Sequence, residues 1–527
     1  AHDRGVGRAR GHAGTQGDGA KMTRPTALAS YQWPPSNEVI AERVGLDPRD
    51  IIRFDGNVAA TPPPSARPAA LARALADVNE YDRGRYHSLR AAIAERHGVT
   101  IDQVALGAGS DEFIVLVARL FAEGGTVATV PAFSYSMYPF AAKMAGARIV
   151  DDPAKADLVF VCRPNNPTGE LPDIPDVPGQ LVIDEAYADY AGVDALERVN
   201  DGAIVLRTFS KAYGLAGARV GYAIANAETI DIITSRQAPL SVSSLSAALA
   251  LAAIATPLDV SIQVAERERL AGELSALGLT PTKSYTNFLF IPMEKPQELV
   301  DELMAYGVVV RAYEGGLRIS VKDELDDNVL LDALRARRDG DAATSPSVRR
   351  RRATAETLLN IRLRVPGQGR VYVNTGLGFY DHMLQQLAFH GGMDLRLEGV
   401  GDLETGDHHM VEDMMITFGE ALDEALGDRR GLTRYGEARV PMDEALAHAV
   451  VDLSGRATAT ISISPDPGMA AHAFQSLAQN ARITLHVTAT GENDHHVAEA
   501  AFKAVGRALA QALTRDGTLV RSTKGSL

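Results

Sequence analysis

Two histidine pairs, each followed by a glutamate, stand out as groups able to do chemistry. GDHHMVEDMMITFGEAL begins at Gly406 and NDHHVAEAAFKAVGRAL begins at Asn493. Aligned on the paired histidines, both share Asp-His-His, a Glu three positions after the second His, then Gly, one residue, Ala and Leu. Matches at this many fixed offsets mark an internal duplication, each copy a unit of strands plus a helix. Residues four apart share a helix face, so His408 pairs with Glu412 and His495 with Glu499. His409 and His496 lie about 100° further round the helix and cannot easily reach the same ion. Two copies therefore suggest two metal ions, each collecting ligands from different elements or subunits. His382 in GFYDHM and His486 in TLHV are further candidate ligands. Imidazole plus carboxylate, without thiolate, suits Mn, Fe, Zn or Ni.

A second constellation lies upstream. TFSKAYGLAGARVGY places Lys211 after a buried strand, QLVIDEAY puts Asp184 at the end of another, and CRPNNPTG is a turn-rich loop carrying Asn166. In GAGSDEFIVLVARLF, Gly109, Ser110 and Asp111 sit where a helix begins, and its free N–H groups suit a phosphate. Glu112 occupies the third-glycine position of a dinucleotide fingerprint, so that reading is rejected.

These residues need elements to position them. At 527 residues the chain should hold about three to five domains. Residues 1–22 are Gly-, Arg- and His-rich and read as a disordered tail. Over 23–338, short apolar runs alternate with amphipathic helical stretches, which argues for a parallel sheet with helices on both faces. Residues 339–351 read as a linker, and the arginine run 349–352 as a solvated or phosphate-side patch. Residues 352–527 form the duplicated region. Net charge is −14, so no global field attracts nucleic acid or anionic membrane. The single cysteine, Cys162, excludes an intrachain disulfide and any multi-cysteine metal site. The apolar stretch 245–255 is far short of the roughly 20 residues of a membrane span. No charged-then-apolar leader is present, and a cytoplasmic protein is expected.

Residues 352–527 resemble the imidazoleglycerol-phosphate dehydratase family through GFYDHML, GDHHMVED, EALGDRRGLTRYG, PMDEAL, DLSGR, NDHHVAEAAFKA and STKG. The resemblance implies an α+β domain of duplicated strand-helix units and two manganese ions per site. It implies metal ligands at His382, His408, His409, Glu412, His486, His495, His496 and Glu499. Phosphate contacts are implied at Gln386, Arg429 or Arg430, Arg456, Lys503, Ser522 and Lys524. Removing water beside an imidazole requires loss of a weakly acidic C–H proton, which a Lewis acid on the ring nitrogen eases. A carboxylate or metal-bound water moves the proton; Glu356 in RATAET, with Glu412 and Glu499, are the candidate carboxylates.

Residues 50–335 resemble the fold-type I, pyridoxal-phosphate-dependent aminotransferases, specifically the histidinol-phosphate aminotransferase family. The resemblance implies that Lys211 forms the Schiff base and shuttles the proton, and that Asp184 keeps the pyridine nitrogen protonated. Asn166 and Tyr187 would bond the phenolic oxygen. Arg219, Thr208 and Ser210, with Gly109, Ser110 and Asp111, would hold the phosphate, and Phe133 or Tyr138 would stack on the ring. Tyr81 would reach the partner subunit's site, and Arg311 and Arg318 would meet the substrate's acidic groups. The two resemblances together imply a bifunctional histidine-biosynthesis enzyme acting on phosphorylated imidazoles with glutamate and 2-oxoglutarate, as a homo-oligomer. The alternatives are a dehydratase fused to an aminotransferase of different substrate, or to a non-catalytic assembly module.

Overall fold

The fold is that of a computed structural model describing residues 34–339, apart from 47, 64, 67, 83 and 85, and residues 347–519 with 521. The expected tail at 1–22, and Ser522 and Lys524, lie outside the described residues. Among the described residues no helix is long and apolar enough to cross a membrane.

The first sheet has seven strands: β1 (Val104–Gly107), β2 (Thr126–Val130), β3 (Arg148–Ile149), β4 (Leu158–Cys162), β5 (Gln180–Asp184), β6 (Ile204–Thr208) and β7 (Gly221–Ile224). They lie in the order β1-β7-β6-β5-β4-β2-β3. LVFVC of β4 is buried throughout, as a strand covered on both faces must be. The sheet is not wholly parallel as expected. β7 runs antiparallel to both neighbours, because residues 209–220 hold only one short 3-10 turn and no crossover helix to carry the chain back.

The functional residues gather at one edge of this sheet. Asp184 ends β5, Lys211 follows β6, Arg219 precedes β7, and helix α1 (Ser110–Phe121) starts just past β1. The carboxyl ends of parallel strands, where chain directions diverge, are where such sheets open a crevice. A smaller antiparallel sheet of β8 (Phe288–Pro292), β9 (Arg311–Tyr313) and β10 (Gly316–Ser320) adds Arg318, and helix α2 (Glu324–Asp339) follows it.

The C-terminal region is two copies of one unit. The first runs β11 (Ser347–Ala353), β12 (Thr357–Arg364), β13 (Val371–Asn374), helix α3 (Gly378–His390), β14 (Asp394–Gly401) and helix α4 (His408–Leu426). The second runs β15 (Tyr435–Met442), β16 (Ala445–Asp452), β17 (Thr458–Ser464), helix α5 (Ala470–Asn480), β18 (Thr484–Thr490) and helix α6 (Asp494–Ala512). The sheet orders match, β11-β12-β14-β13 and β15-β16-β18-β17, and in each the third strand pairs parallel with the fourth. Strand β12 alternates buried and half-exposed residues, turning Leu359, Ile361 and Leu363 inward. The four helices share that core, and they pack crosswise: α3 of the first copy on α6 of the second, α4 on α5.

One boundary differs from the sequence reading. Residues 347–351, expected in the linker, belong to β11 and pair with β12 from Ser347 opposite Arg364. Arginine-rich composition resembles a linker, yet charge is also how edge strands stay soluble, and Val348 points into the core.

The glycine shared by both copies of the duplication serves helix packing. A Cβ on Gly506 of α6 would lie 2.3 Å from the Leu387 carbonyl oxygen of α3, and one on Gly419 of α4 would lie 2.9 Å from Asn480 Cβ of α5. Gly506→Ala gains about 1 kcal/mol of helix propensity against an overpacking cost of about 1–3 kcal/mol. The net expectation is a lower unfolding midpoint for the C-terminal half in scanning calorimetry, with a smaller fall for Gly419→Ala.

Candidate active sites

The first site is built around Lys211. Its ammonium donates to the carbonyls of Asn57 (3.3 Å) and Gly56 (3.4 Å). Loss of solvent, with the Arg318 guanidinium second, draws its pKa down to about 8. Asp184 is buried; Tyr138 donates to Oδ2 at 2.8 Å and the Ala186 amide to Oδ1 at 3.1 Å. Burial lifts Asp184 to about 6 against those bonds. Asn57 Nδ2 donates to the Tyr187 hydroxyl at 3.0 Å. Arg318 donates to Asn166 Oδ1 at 2.5 Å and to the Asp55 carbonyl at 2.6 Å, while its buried Nε has no partner. Arg311 lies opposite Arg318 on the next strand with its guanidinium over Tyr313.

An anion cup sits at the start of α1. Gly109 caps the helix at φ 80°, a left-handed conformation that suits glycine, and a Cβ there would lie 2.5 Å from an Arg219 nitrogen. Arg219 donates to Ser210 Oγ at 3.3 Å and pairs with Asp111 at 3.2 Å. Thr208 Oγ1 donates to the Val220 carbonyl and accepts from the Ser210 amide, so it shapes the turn. Ser110, at the helix start, completes a cup suited to a phosphate monoester.

The two aromatic candidates differ in their surroundings. Tyr138 is fully buried, stacked on Phe160 at 4.7 Å and bonded to Asp184. Phe133 is 40% exposed and packs edge-on against Phe290 and Tyr313. A third aromatic of this segment, Tyr135, donates to Asp111 at 3.1 Å and feels the charges of Asp111 and Asp184. Tyr81 is 79% exposed, away from this chain's own Lys211.

The second region holds two His-His-Glu triads, each drawn from both copies. His382 of α3 meets His495 and Glu499 of α6, and His408 and Glu412 of α4 meet His472 of α5. In the first, Glu499 Oε2 lies 3.5 Å from His382 Nε2 and 3.2 Å from His495 Nε2. In the second, Glu412 lies 3.9 Å from His408 and 3.6 Å from His472. The buried Nε2 of His472 has no hydrogen-bond partner and faces the Glu412 carboxylate. Two imidazoles and a carboxylate suit a divalent transition ion. Burial works to raise the Glu499 carboxyl, yet Lys503, 2.7 Å away, and His382 hold it below its ordinary value.

His472 was missed from sequence, although the duplication encodes it. His382 and His472 both precede a Gln at the third position, a Leu at the fifth and an Ala at the sixth. His486, expected as a ligand, stands on the exposed face of β18, opposite Val450 and Thr460, outside both triads. His409 and His496 also lie outside the triads of their own chain. His409 Nδ1 is 3.0 Å from Asp402 and 3.7 Å from Glu356, and His496 Nδ1 is 2.9 Å from Glu444. Hydrogen bonding to the Asp402 and Glu444 carboxylates raises the two imidazoles above their ordinary pKa. Glu356 and Glu444 occupy the same turn in the two copies, and sequence reasoning singled out only the first.

Of the basic candidates, Arg429 is buried and spent on Asp423 at 2.6 Å and the Ala481 carbonyl at 3.1 Å, which makes it a structural group rather than a phosphate ligand. Arg430 is exposed and pairs with Asp428. Lys503 stands one turn beyond Glu499, Gln386 is half-buried on α3, and Arg456 is exposed.

A mostly parallel sheet with a strand-end lysine, a buried aspartate and a helix-start anion cup, joined to a duplicated domain with paired His-His-Glu triads, defines a chain of two enzyme units. The aminotransferase class I and II profile matches residues 49–335, and the imidazoleglycerol-phosphate dehydratase profile matches residues 375–509. The chain belongs to the aminotransferase class I and II family and, through its C-terminal third, to the imidazoleglycerol-phosphate dehydratase family. Similar proteins include the imidazoleglycerol-phosphate dehydratase of Magnetococcus marinus, 47% identical over 33% of this chain and 95% of the relative. That of Methanococcoides burtonii is 45% identical over 33% and 96%. The histidinol-phosphate aminotransferase of Sinorhizobium meliloti, solved with pyridoxal 5'-phosphate, is 25% identical with a TM-score of 0.51, over 60% of this chain and 99% of its own.

Two outcomes are expected. In manganese titrations followed by electron paramagnetic resonance, His472→Ala loses one of two bound equivalents per chain, whereas His486→Ala keeps both. The second concerns pH. Asp184, at about 6 in the folded chain, lies above the ~3.9 of an unfolded aspartate. The folded state therefore holds the extra proton, and this stabilising contribution, full below about pH 4, is lost as pH rises through 6. That loss is on the order of 2–3 kcal/mol in the cofactor-free protein. Asp184→Asn should flatten this part of the stability curve in urea unfolding at pH 4.5 and 7, with Glu185, also raised by burial, common to both proteins.

Proposed function

We propose that this chain performs two consecutive steps of histidine biosynthesis. The C-terminal region dehydrates imidazole glycerol phosphate to imidazole acetol phosphate with manganese. The N-terminal region transaminates that ketone with glutamate, using pyridoxal 5'-phosphate, to give histidinol phosphate and 2-oxoglutarate. The observation that carries the reading is that one chain holds both a Lys211–Asp184 site with its anion cup and two cross-copy metal triads. The proposed boundaries are residues 49–339 for the aminotransferase and residues 347–527 for the dehydratase, in a cytoplasmic homo-oligomer in which exposed Tyr81 meets a second copy.

In the aminotransferase, the cofactor when bound supplies an electron sink for cleavage of a C–H bond beside nitrogen. Lys211, drawn down to about 8, keeps a larger neutral fraction near neutrality than an ordinary lysine, so its Nζ can take and return that proton. Asp184, held by Tyr138, is placed to keep a ring N–H in place. Arg219, Ser210 and the α1 amides take the phosphate, Tyr135 supplies the ring contact, and the orphan Nε of Arg318 is free for a substrate carboxylate.

In the dehydratase, the metal when bound polarises the substrate as a Lewis acid. His382, His495 and Glu499 would hold one ion, and His408, Glu412 and His472 the other. Glu356 and Glu444 stand beside the second histidine of each pair, placed to move protons, and Lys503 offers a cation for the substrate phosphate.

The test supplies the purified full chain with imidazole glycerol phosphate, manganese, pyridoxal 5'-phosphate and glutamate, and follows products by mass spectrometry. Histidinol phosphate is expected, and Lys211→Ala should stop the sequence at imidazole acetol phosphate with an unchanged first step. A wild-type halt at the ketone would assign the N-terminal region another amine substrate.

A further inference from the structure

The arginine run beginning at 349 is used by neither catalytic site. In β11 it lies beside two more arginines. Register places Arg349 opposite Arg362, and Arg362 opposite Arg396 of β14, so three guanidinium-bearing residues form one cross-strand row. Like charges directly opposite on a sheet are destabilising, and a fold that keeps such a row must compensate it. The compensation is partial. Arg362 and Arg396 share Asp326, Arg396 also reaches Asp323, and Arg350 pairs with Glu424 at 2.7 Å. The Arg349 side chain makes no hydrogen bond or ion pair among the described residues and senses Asp50 and Asp332 only through their fields. Arg396 is 8% exposed, yet its buried Nε has no partner.

This row lines a cavity of about 470 Å³ whose wall also carries Arg351, Asn360 and Glu398, with Asp50 from the aminotransferase region. Five arginines and two carboxylates line it, and Asp323, Asp326 and Glu424 pair with three of the arginines from outside the lining. Burial and the neighbouring Arg396 draw the Arg362 guanidinium down to about 10 despite its pairing with Asp326. We propose that this cavity is a binding site for a small phosphorylated anion, separate from both catalytic centres. Planar forked donors match phosphate oxygens two at a time, and the concavity and the chain's net charge of −14 favour a small ester or pyrophosphate over a nucleic acid. The assignment stands independently of the reactions proposed above.

The test is equilibrium dialysis of labelled pyrophosphate against the full holoenzyme at physiological ionic strength. One equivalent per chain is expected beyond those retained by Arg349→Ala, whose affinity at this site should fall about tenfold or more. Asn360→Glu, which places a competing carboxylate on the cavity wall opposite Arg351, should lose the same equivalent without removing an arginine, so the proposal survives poor folding of the alanine variant. Both variants should keep wild-type catalytic rates. Displacement by imidazole glycerol phosphate but not orthophosphate would identify a pathway ester as the occupant, and the converse would identify free phosphate. Unchanged uptake in both variants, or uptake abolished by chloride at that ionic strength, would overturn the proposal.

Discussion

Close approach between helices of opposite copies is the constraint on which the C-terminal half depends. Had each copy packed its two helices on each other, His382 would have faced His408 and Glu412, and each triad would have come from a single copy. Crosswise packing, with α3 on α6 and α4 on α5, places one histidine of one copy over the His-x-x-x-Glu face of the other. Small residues make it feasible: Gly506 lies against the Leu387 carbonyl and Gly419 against Asn480. The same apolar layer, with Phe418, Phe474 and Phe502 at its centre, closes both sheets over the helices.

The N-terminal half solves a different problem, holding a lysine and an aspartate near each other without letting them simply pair. Asp184 is occupied by Tyr138 and the Ala186 amide, while Lys211 rests on two carbonyls. Burial pushes both pKa values toward the neutral forms. Each group is thus poised to bind something that supplies the missing charge.

What could be read from the sequence followed the range of the interaction. His408 with Glu412 and His495 with Glu499 are four apart on one helix, so spacing alone revealed them. His472 belongs with residues 60 and 64 positions away, and only the duplication, through the shared His, Gln, Leu and Ala of α3 and α5, encodes it. His486 misled because its partner is a strand face, where its counterpart in the first copy is Arg396. Arg429 and Arg430 are indistinguishable as letters; burial separates them. Tyr138 and Tyr135 differ by one helical turn, and only the packing of Tyr138 on Phe160 shows which is structural. The strand at 347–353 was hidden by its arginines, whose alternation carries no apolar period.

The acidic start of α2 has a consequence for how the two enzymes stay together. Glu324 and Asp326 reach Arg364, Arg362 and Arg396 across the boundary, and Arg370 meets Glu324 at 3.0 Å. Charges buried in such a seam regain water on parting, so their net attraction is modest, while their burial leaves salt little hold on it. The join therefore resembles a keyed fitting more than a welded core. A protease cutting between residues 339 and 347 would separate the polypeptides without necessarily separating the enzymes, and the fit of this seam rather than covalent continuity would set whether they travel as one body.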